Sequence, residues 1–532
     1  MNARSVSLRA IVSQVPLRAA LAAERDVKVT GIALDSRQVE PGDLFVAVRG
    51  GTLDGHAFIP QAIANGAVAV AGEQVISDLP VPYVQLEHSR QAATWLAAAF
   101  YDWPGRRLTV LGVTGTDGKT TTTSLIHRIL LAAGKHAGMI STVSAVVGDD
   151  VLDTGFHVTT PDAHDLQRYL ARMVEAGLTH VVLETTSHGW AQHRTDACEF
   201  DIGVVTNITH EHLDQHGTYE NYRGAKARLF SSLETTAAKP WGNPRLAIIN
   251  RDDDSYEFLE HFIRVRQLSY GLNGNADVRA ESIQLSAAGI SFEAVSDSFR
   301  VAIKSQLVGR YNVSNCLAAV AACVQGLGIG STAAAEGIAA LEGVPGRMER
   351  IEMGQNFAAI VDFAHTPNAL KVTLETARAL VSPAKNAARI IAVFGSAGLR
   401  DPAKRRMMAE VSAQLADLTI LTAEDPRSES LGAILDDMAQ GATARGGIDG
   451  KSFWRVADRG EAIRFALGLA RPGDIVIVCG KGHEQSMCFG ETEYAWDDRV
   501  AVRGALAELL GKDGPSIPYL PTRDQPEAEW LR

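Results

Sequence analysis

A multidomain α/β protein is predicted by three features of the sequence. Apolar runs of strand length alternate with longer amphipathic segments along most of the chain, the pattern of parallel sheets covered by helices. With 532 residues the chain is too long for one ordinary core, and about three or four domains are expected. A glycine-rich stretch from Leu108 to Thr123 joins an apolar strand to a helix through a turn that carries a lysine. That is how α/β proteins grip a nucleotide phosphate.

The N-terminal region, 1–106, opens with an amphipathic segment and predicts a strand over 29–34. Polar turns at Asp35-Ser36-Arg37 and Glu40-Pro-Gly-Asp43 follow, then a strand over 45–48, a helix over 59–65 that Gly66 closes, and a strand over 67–71. Trp103-Pro-Gly105 supplies the punctuation of a domain boundary. The central region, 107–342, repeats strand, helix and strand, with strands expected over 109–113, 180–183, 202–205 and 246–249. A second such unit occupies 343–510, with strands expected over 358–361, 389–394, 418–421 and 474–479. The last stretch, 511–532, combines prolines with charge and reads as a loose tail.

Ligands of parallel sheets gather at the carboxyl ends of strands, so the residues there are the candidates. The turn Thr114-Gly-Thr-Asp-Gly-Lys-Thr-Thr121 departs from the GxxxxGK spacing, because Val113 stands where that form has its first glycine. Its chemistry is nevertheless intact. Gly115 and Gly118 let backbone N–H groups around Thr116 and Asp117 close on phosphate oxygens, Lys119 adds a point charge, and a hydroxyl of Thr120 or Thr121 can reach Mg²⁺. Glu184 ends an apolar strand, where it can hold Mg²⁺ or cap a helix. His210, His212 and His216 share one loop and suit either a metal or ordinary hydrogen bonding. Lys226 falls in a helical segment over 222–229, where a solvated lysine is equally natural. Four further clusters end strands of the last unit: Asp362 to Leu370, Gly395 to Asp401, Glu424-Asp-Pro-Arg427 and Gly480-Lys-Gly-His-Glu484.

Composition excludes other classes. The net charge of −11, with no basic run, argues against a nucleic-acid surface. Five scattered cysteines without a CxxC pair indicate neither a disulfide framework nor a zinc site. No apolar run has the length of a signal peptide's core or of a membrane span. A cytoplasmic protein, monomeric and without membrane or nucleic-acid partners, is expected.

Together these motifs resemble the Mur ligases of bacterial cell-wall synthesis, within them the branch that adds the third amino acid of the peptide. Eight come in the family's order: Thr114 to Thr121, Glu184 to His188, His212-Leu-Asp-Gln-His-Gly217, Asn250 with Asp252 and Asp253, Tyr311-Asn-Val-Ser-Asn315, Gly346-Arg-Met-Glu349, Asp362-Phe-Ala-His-Thr-Pro367 and Gly480 to Glu484. The resemblance spans about 25–505. It implies three domains: a uridine-nucleotide-binding one, a central P-loop-type ATPase sheet, and a C-terminal Rossmann-like one bringing the amino acid. It also implies ATP-driven amide formation with Mg²⁺ on UDP-N-acetylmuramoyl-L-alanyl-D-glutamate, through an acyl phosphate, with a diamino acid as the second substrate.

The same matching assigns roles residue by residue. Lys119, Glu184, His212 and Lys226 are implied as catalytic, with Thr120, Glu184, His212 and Lys226 around the metal. Lys226 matches a lysine that the family carries as a carbamate, N6-carboxylysine. Ser36 would meet the uridine diphosphate, while Thr159, Thr160, Thr186, Gln192 and Arg194 would meet the muramoyl-peptide. ATP would lie on the loop from Gly115 to Thr121 and on Asn315, Arg347 and Asp362. Arg400, Glu424, Asp425, Arg427, Gly480 and Glu484 would line the amino-acid site. Asp117 and Thr186 stand for a common asparagine and serine, keeping hydrogen-bonding ability. Ala397 and Leu399 replace a usual glycine and aspartate, which removes a carboxylate beside Arg400.

Arg427 bears on which diamino acid is used. In the family an arginine here goes with meso-diaminopimelate, whose far carboxylate it pairs, whereas lysine-adding members usually lack it. Glu424 and Asp425 add negative charge that would suit the ammonium of L-lysine or L-ornithine, the alternatives, but meso-diaminopimelate carries an ammonium there too, so acidity alone does not discriminate. A folylpolyglutamate synthetase shares the phosphate loop but generally lacks the N-terminal uridine-nucleotide domain, and a nucleotide-driven switch would turn over ATP without making an amide.

Overall fold

A computed structural model describes residues 4–16, 19–21, 26–50, 53–152, 159–209, 216–286, 288–381 and 388–524. They form three large α/β sheets and two small two-stranded ones. The N-terminal sheet runs in the order Ala19–Leu21, Tyr83–Leu86, Ala69–Gly72, Asp43–Val46 and Gly31–Ala33, with only the first pair antiparallel. The strand expected over 29–34 divides into Lys28–Val29 and Gly31–Ala33, because the first pairs with Val6–Ser7 and the second with Asp43–Val46.

The central sheet runs Asp150–Leu152, Ala145–Val147, Ala137–Ile140, His180–Glu184, Thr109–Thr114, Ile202–Val205, Leu246–Asn250, Arg266–Gly271, Val278–Ser286, Gly289–Val295 and Arg300–Ser305. Every pair from Ala137–Ile140 to Val278–Ser286 is parallel. Thr109–Thr114 lies in the middle and is buried along its whole length, as a near-continuous apolar run in a two-sided sheet should be. Gly112 in this strand is a packing requirement, since a Cβ there would come within 2.6 Å of Leu229 and 2.8 Å of Phe200. The absent side chain lets helix Tyr219–Thr235 lie close to the sheet, with Leu229, Phe230 and Leu233 buried. That approach carries Lys226 to the phosphate turn.

The C-terminal sheet has the order Glu349–Ile351, Ala358–Asp362, Ile475–Cys479, Ile390–Phe394, Leu418–Leu421 and Phe453–Arg455, parallel except for its first pair. One apolar core surrounds it. The segment expected to be a loose tail packs there instead, as far as it is described. Ile517 and Leu520 are buried in this core and the Thr522 hydroxyl donates to Asp458 at 2.6 Å. The prolines and charges of this segment conceal two apolar anchors three residues apart. Leu520→Ala should therefore lower stability by roughly 2–5 kcal/mol, the range for truncating a buried leucine, read from the denaturation midpoint.

Two compact units emerge from the contacts, Met1–Ala280 with Ala294–Val301 and Ser314–Ile338, and Glu281–Glu293 with Ala302–Val313 and Ala339–Arg532. The first holds the N-terminal sheet and the central sheet as far as Arg266–Gly271; the second holds the C-terminal sheet. Among the described residues no helix is long and apolar enough to cross a membrane.

Candidate active site

The phosphate turn is built by two glycines and by the neighbouring strand end. Gly115 and Gly118 have φ of 148° and 82°, and a side chain at either would collide with Thr206 or Asn315 respectively. Thr206 and Asn207, which follow strand Ile202–Val205, pin the turn. The Asp117 N–H donates to Asn207 Oδ1 at 2.9 Å, and the Asp117 carbonyl accepts from Thr206 Oγ1 at 2.6 Å and Asn207 Nδ2 at 3.1 Å. Lys119 Nζ donates to the Thr116 carbonyl at 2.8 Å. The Thr116 hydroxyl lies 2.9 Å from Tyr222 Oη and accepts from the Thr209 N–H at 2.9 Å. Helix Lys119–Ala132 begins here, so its unsatisfied N–H groups and its positive end face the turn.

Glu184 sits at the end of the adjacent strand and is 2% exposed. Its Oε1 accepts from Thr120 Oγ1 at 3.0 Å and Thr142 Oγ1 at 2.8 Å, and its Oε2 from the Thr142 N–H at 2.9 Å. Carboxylate and hydroxyl oxygens gathered this way are hard donors and fit Mg²⁺. Lys226, also buried, donates to the Gly115 carbonyl at 2.5 Å and lies 4.6 Å from the Tyr222 ring centre. Asn315 accepts from Thr122 Oγ1 at 3.4 Å. His212, with the rest of 210–215, lies outside the described residues; His216 Nε2 is 3.1 Å from Ser187 Oγ.

Beside this cluster the residues expected to meet the muramoyl-peptide come together. The Thr186 N–H donates to Thr160 Oγ1 at 3.1 Å, and the Thr186 hydroxyl caps helix Ser187–Ala191. Arg194 Nη1 donates to the Thr160 carbonyl at 2.7 Å and pairs with Asp162 at 3.2 Å. Gln192 ends the capped helix, and Thr159 precedes Thr160. Ser36 begins a short 3₁₀ turn after strand Gly31–Ala33 of the N-terminal sheet, where its hydroxyl donates to Gln61 at 3.1 Å and its carbonyl accepts from Asn65.

In the C-terminal unit Asp362 is saturated by the N–H groups of Met348 and Ala364 and the Thr373 hydroxyl, at 2.8–3.0 Å. Arg347 stacks 4.4 Å over Phe363. Burial, together with Arg347, Arg499 and Lys481, pushes His483 down to about 3, so it is neutral at physiological pH. Arg400 is exposed after Leu399. Three non-glycine residues of these loops, Leu399, Asp425 and Arg427, hold left-handed backbone with φ of 55°, 41° and 53°. Strain of that kind collects at ligand sites.

The acidic pair is not the excess of negative charge that the sequence implies. Asp425 receives both oxygens' worth of bonding from Lys481 Nζ at 3.0 Å and a further bond from the Cys488 N–H. Lys481 also pairs with Glu484 at 2.5 Å. Glu424 is buried against Gly480, and burial pushes its carboxyl up to about 7. A raised folded-state value means that Glu424 favours folding below its ordinary 4.5 and loses that contribution as pH rises through about 7. Glu424→Gln should thus match the unmutated protein near pH 5 and exceed it near pH 8, by on the order of 2 kcal/mol, in calorimetry across that interval. An equal difference at both ends would mean that Glu424 does not titrate there.

Comparison with known proteins decides the family. Family models match in three parts: "Mur ligase family, catalytic domain" over 28–101, "Mur ligase middle domain" over 113–323 and "Mur ligase, glutamate ligase domain" over 346–482. The chain is 43% identical to a UDP-N-acetylmuramyl-tripeptide synthetase of Roseiflexus sp. strain RS-1 over 491 residues, 91% of this chain and 95% of that one. This chain belongs to the Mur ligase family. A further relative, 41% identical over 90% of this chain and 95% of its own, is a UDP-N-acetylmuramoyl-L-alanyl-D-glutamate--2,6-diaminopimelate ligase of Geobacillus kaustophilus. A solved structure of a protein of that same name superposes with a TM-score of 0.65 at 32% identity, covering 95% of this chain and 99% of the other. As a Mur ligase the protein is an ATP-dependent ligase with the family's three-domain fold.

The N-terminal match over 28–101 covers the region that the folylpolyglutamate synthetase reading lacks. Sequence reasoning overlooked Thr142 as a member of the site and gave Asn207 and Lys481, within strand-end clusters, no role of their own. Thr142 follows strand Ala137–Ile140, so the strand-end rule reaches it, but a hydroxyl among serines and threonines carries no signal of its own.

Proposed function

We propose that this Mur ligase adds meso-diaminopimelate to the D-glutamate γ-carboxyl of UDP-N-acetylmuramoyl-L-alanyl-D-glutamate in peptidoglycan precursor synthesis, in the cytoplasm. Three domains, 1–106, 107–342 and 343–510, divide the work among uridine nucleotide, ATP and amino acid. The observation that carries the choice of amino acid is Arg427, whose guanidinium makes a long 3.3 Å contact with the Gly398 carbonyl within the protein. With Asp425 paired to Lys481 and burial disfavouring charge on Glu424, the loop presents Arg427 as a cation for the far carboxylate of the diamino acid. The names of the diaminopimelate ligases at about 40% identity support the same choice.

The central site supports activation of the carboxylate. The turn's backbone N–H groups and Lys119 hold the terminal phosphates of ATP, the carboxylate attacks the γ-phosphorus, and ADP leaves. The diamino acid's amine then attacks the acyl phosphate, and phosphate leaves with the amide formed. Negative charge accumulates on oxygen throughout, so positioned donors contribute more than bond-making groups do. Magnesium held by Glu184, Thr120, His212 and carbamylated Lys226 would supply charge neutralisation when bound. Thr142 orients the Glu184 carboxylate, and Asn207 holds the turn in place. The test is phosphate release with ATP and the muramoyl-dipeptide nucleotide against meso-diaminopimelate, L-lysine and L-ornithine. Release without any carboxylate or amine would instead favour a nucleotide switch.

Lys226 should carry the carbamate. A buried ammonium beside the phosphate turn is costly, whereas a carbamate is an anion suited to a hard cation. Stripping dissolved CO₂ should lower activity and bicarbonate should restore it, with a ¹³C carbamate resonance appearing from labelled bicarbonate and vanishing in Lys226→Ala. A Lys226 ammonium in the active, substrate-bound enzyme would sink this assignment.

A further inference from the structure

Arg459 is wholly buried, yet it sits in the first turn of helix Arg459–Leu469, the end at which a cation meets the unfavourable pole of the helix dipole. Burying a guanidinium there is costly without full pairing. The pairing is complete in kind: Nε and Nη2 donate to the two carboxylate oxygens of Asp498 at 2.7 Å each. Asp498 itself is buried at the start of helix Asp498–Leu510 and accepts a further bond from Trp496 Nε1 at 2.9 Å. The ion pair is therefore a fixed block between two helix starts.

The remaining donors of Arg459 reach backbone. Nη1 donates to the Ala423 carbonyl at 3.0 Å and Nη2 to the Cys479 carbonyl at 2.7 Å. These are the residues immediately before Glu424 and before Gly480, so one guanidinium holds the roots of both loops proposed to take the amino acid. The strands that carry these loops are not neighbours, since Ile390–Phe394 lies between Leu418–Leu421 and Ile475–Cys479. Ladder bonds therefore cannot fix one loop against the other. Above the clamp the loops interlock, with Glu424 packed on Gly480 and Asp425 paired to Lys481.

We propose that Arg459, held by Asp498, is a positioning residue that sets the Glu424–Arg427 loop against the Gly480–Glu484 loop and thereby governs recognition of the amino-acid substrate. This rests on the assignment of those loops to that substrate. Arg459→Lys keeps the charge but cannot span Asp498 and both carbonyls, because the planar fork is lost. Asp498→Asn keeps the shape and weakens the hold.

The measurement is steady-state kinetics of both variants with the amino acid that the unmutated enzyme prefers, together with thermal melting. Displacement of a binding loop by a fraction of its span raises KM by about tenfold to a hundredfold. That rise is expected for the amino acid in Arg459→Lys, with a smaller one in Asp498→Asn, while KM for ATP and for the nucleotide substrate stays put. Preference among meso-diaminopimelate, lysine and ornithine should narrow in parallel. A fall in kcat with every KM unchanged would mark a merely structural role and overturn the proposal, as would unaltered kinetics. If Arg459→Lys fails to fold, Asp498→Asn decides by the same criteria. Glu484→Gln is the control for the underlying assignment. If it too leaves the amino-acid KM unmoved, the site has been placed on the wrong loops; if it raises that KM while the Arg459 and Asp498 variants do not, the positioning role alone fails.

Discussion

Lys119→Ala should give a folded protein in which phosphate release, with all three substrates saturating, drops by more than about a hundredfold. The lysine contributes one bond to the turn, from Nζ to the Thr116 carbonyl. Asn207 and Thr206 hold the same turn through the Thr116 and Asp117 backbone, so its conformation survives the truncation. What disappears, on the role proposed for Lys119, is a preorganised cation for the transferring phosphoryl group. Removing a donor of that kind costs roughly 3 kcal/mol or more in activation free energy. Thermal melting should move little, since the side chain is only half-buried. Near-normal turnover in a well-folded Lys119→Ala protein would remove the phosphate turn from the mechanism. A large loss of stability would instead show that the lysine holds the turn.

The central strands and the phosphate turn were legible because local signals agreed. Apolar runs, glycine positions and a lysine at a helix start all lie within a dozen residues. The strand expected over 109–113 is found as Thr109–Thr114, and that over 418–421 as Leu418–Leu421. Legibility failed where the deciding partner is remote. Asp425 looks like bare negative charge until Lys481 closes on it from 56 residues away. Arg459 reads as an ordinary helix residue, and nothing near it announces Asp498 or the two carbonyls it clamps. Leu399, Asp425 and Arg427 adopt left-handed backbone without being glycine, so the residue most diagnostic of that conformation gives no warning. The tail misled for a related reason, because composition averages over the two apolar residues that dock it.

Arg427→Ala should reduce kcat/KM for meso-diaminopimelate by an amount equivalent to roughly 2–5 kcal/mol, as truncating one member of a desolvated charge pair does. The loop itself should persist. The Arg427 N–H donates to the Cys488 carbonyl at 3.1 Å and its carbonyl accepts from the Gly490 N–H at 2.8 Å, and neither bond involves the side chain. Left-handed backbone is as strained for alanine as for arginine, so the substitution brings no relief. Within the protein, Nη1 makes a long 3.3 Å contact with the Gly398 carbonyl, a weak claim on a group able to form two parallel bonds with a carboxylate. L-lysine has no carboxylate at that end, so its kcat/KM should change far less and the gap between the two amino acids should narrow. A site built around such a pair rejects an analogue lacking the partner by about four orders of magnitude, and the unmutated enzyme should discriminate on that scale. If lysine or ornithine is instead used better than meso-diaminopimelate, Arg427 serves another contact and the specificity assignment falls. Membership of the ligase family would be untouched, because it rests on 28–101, 113–323 and 346–482 together.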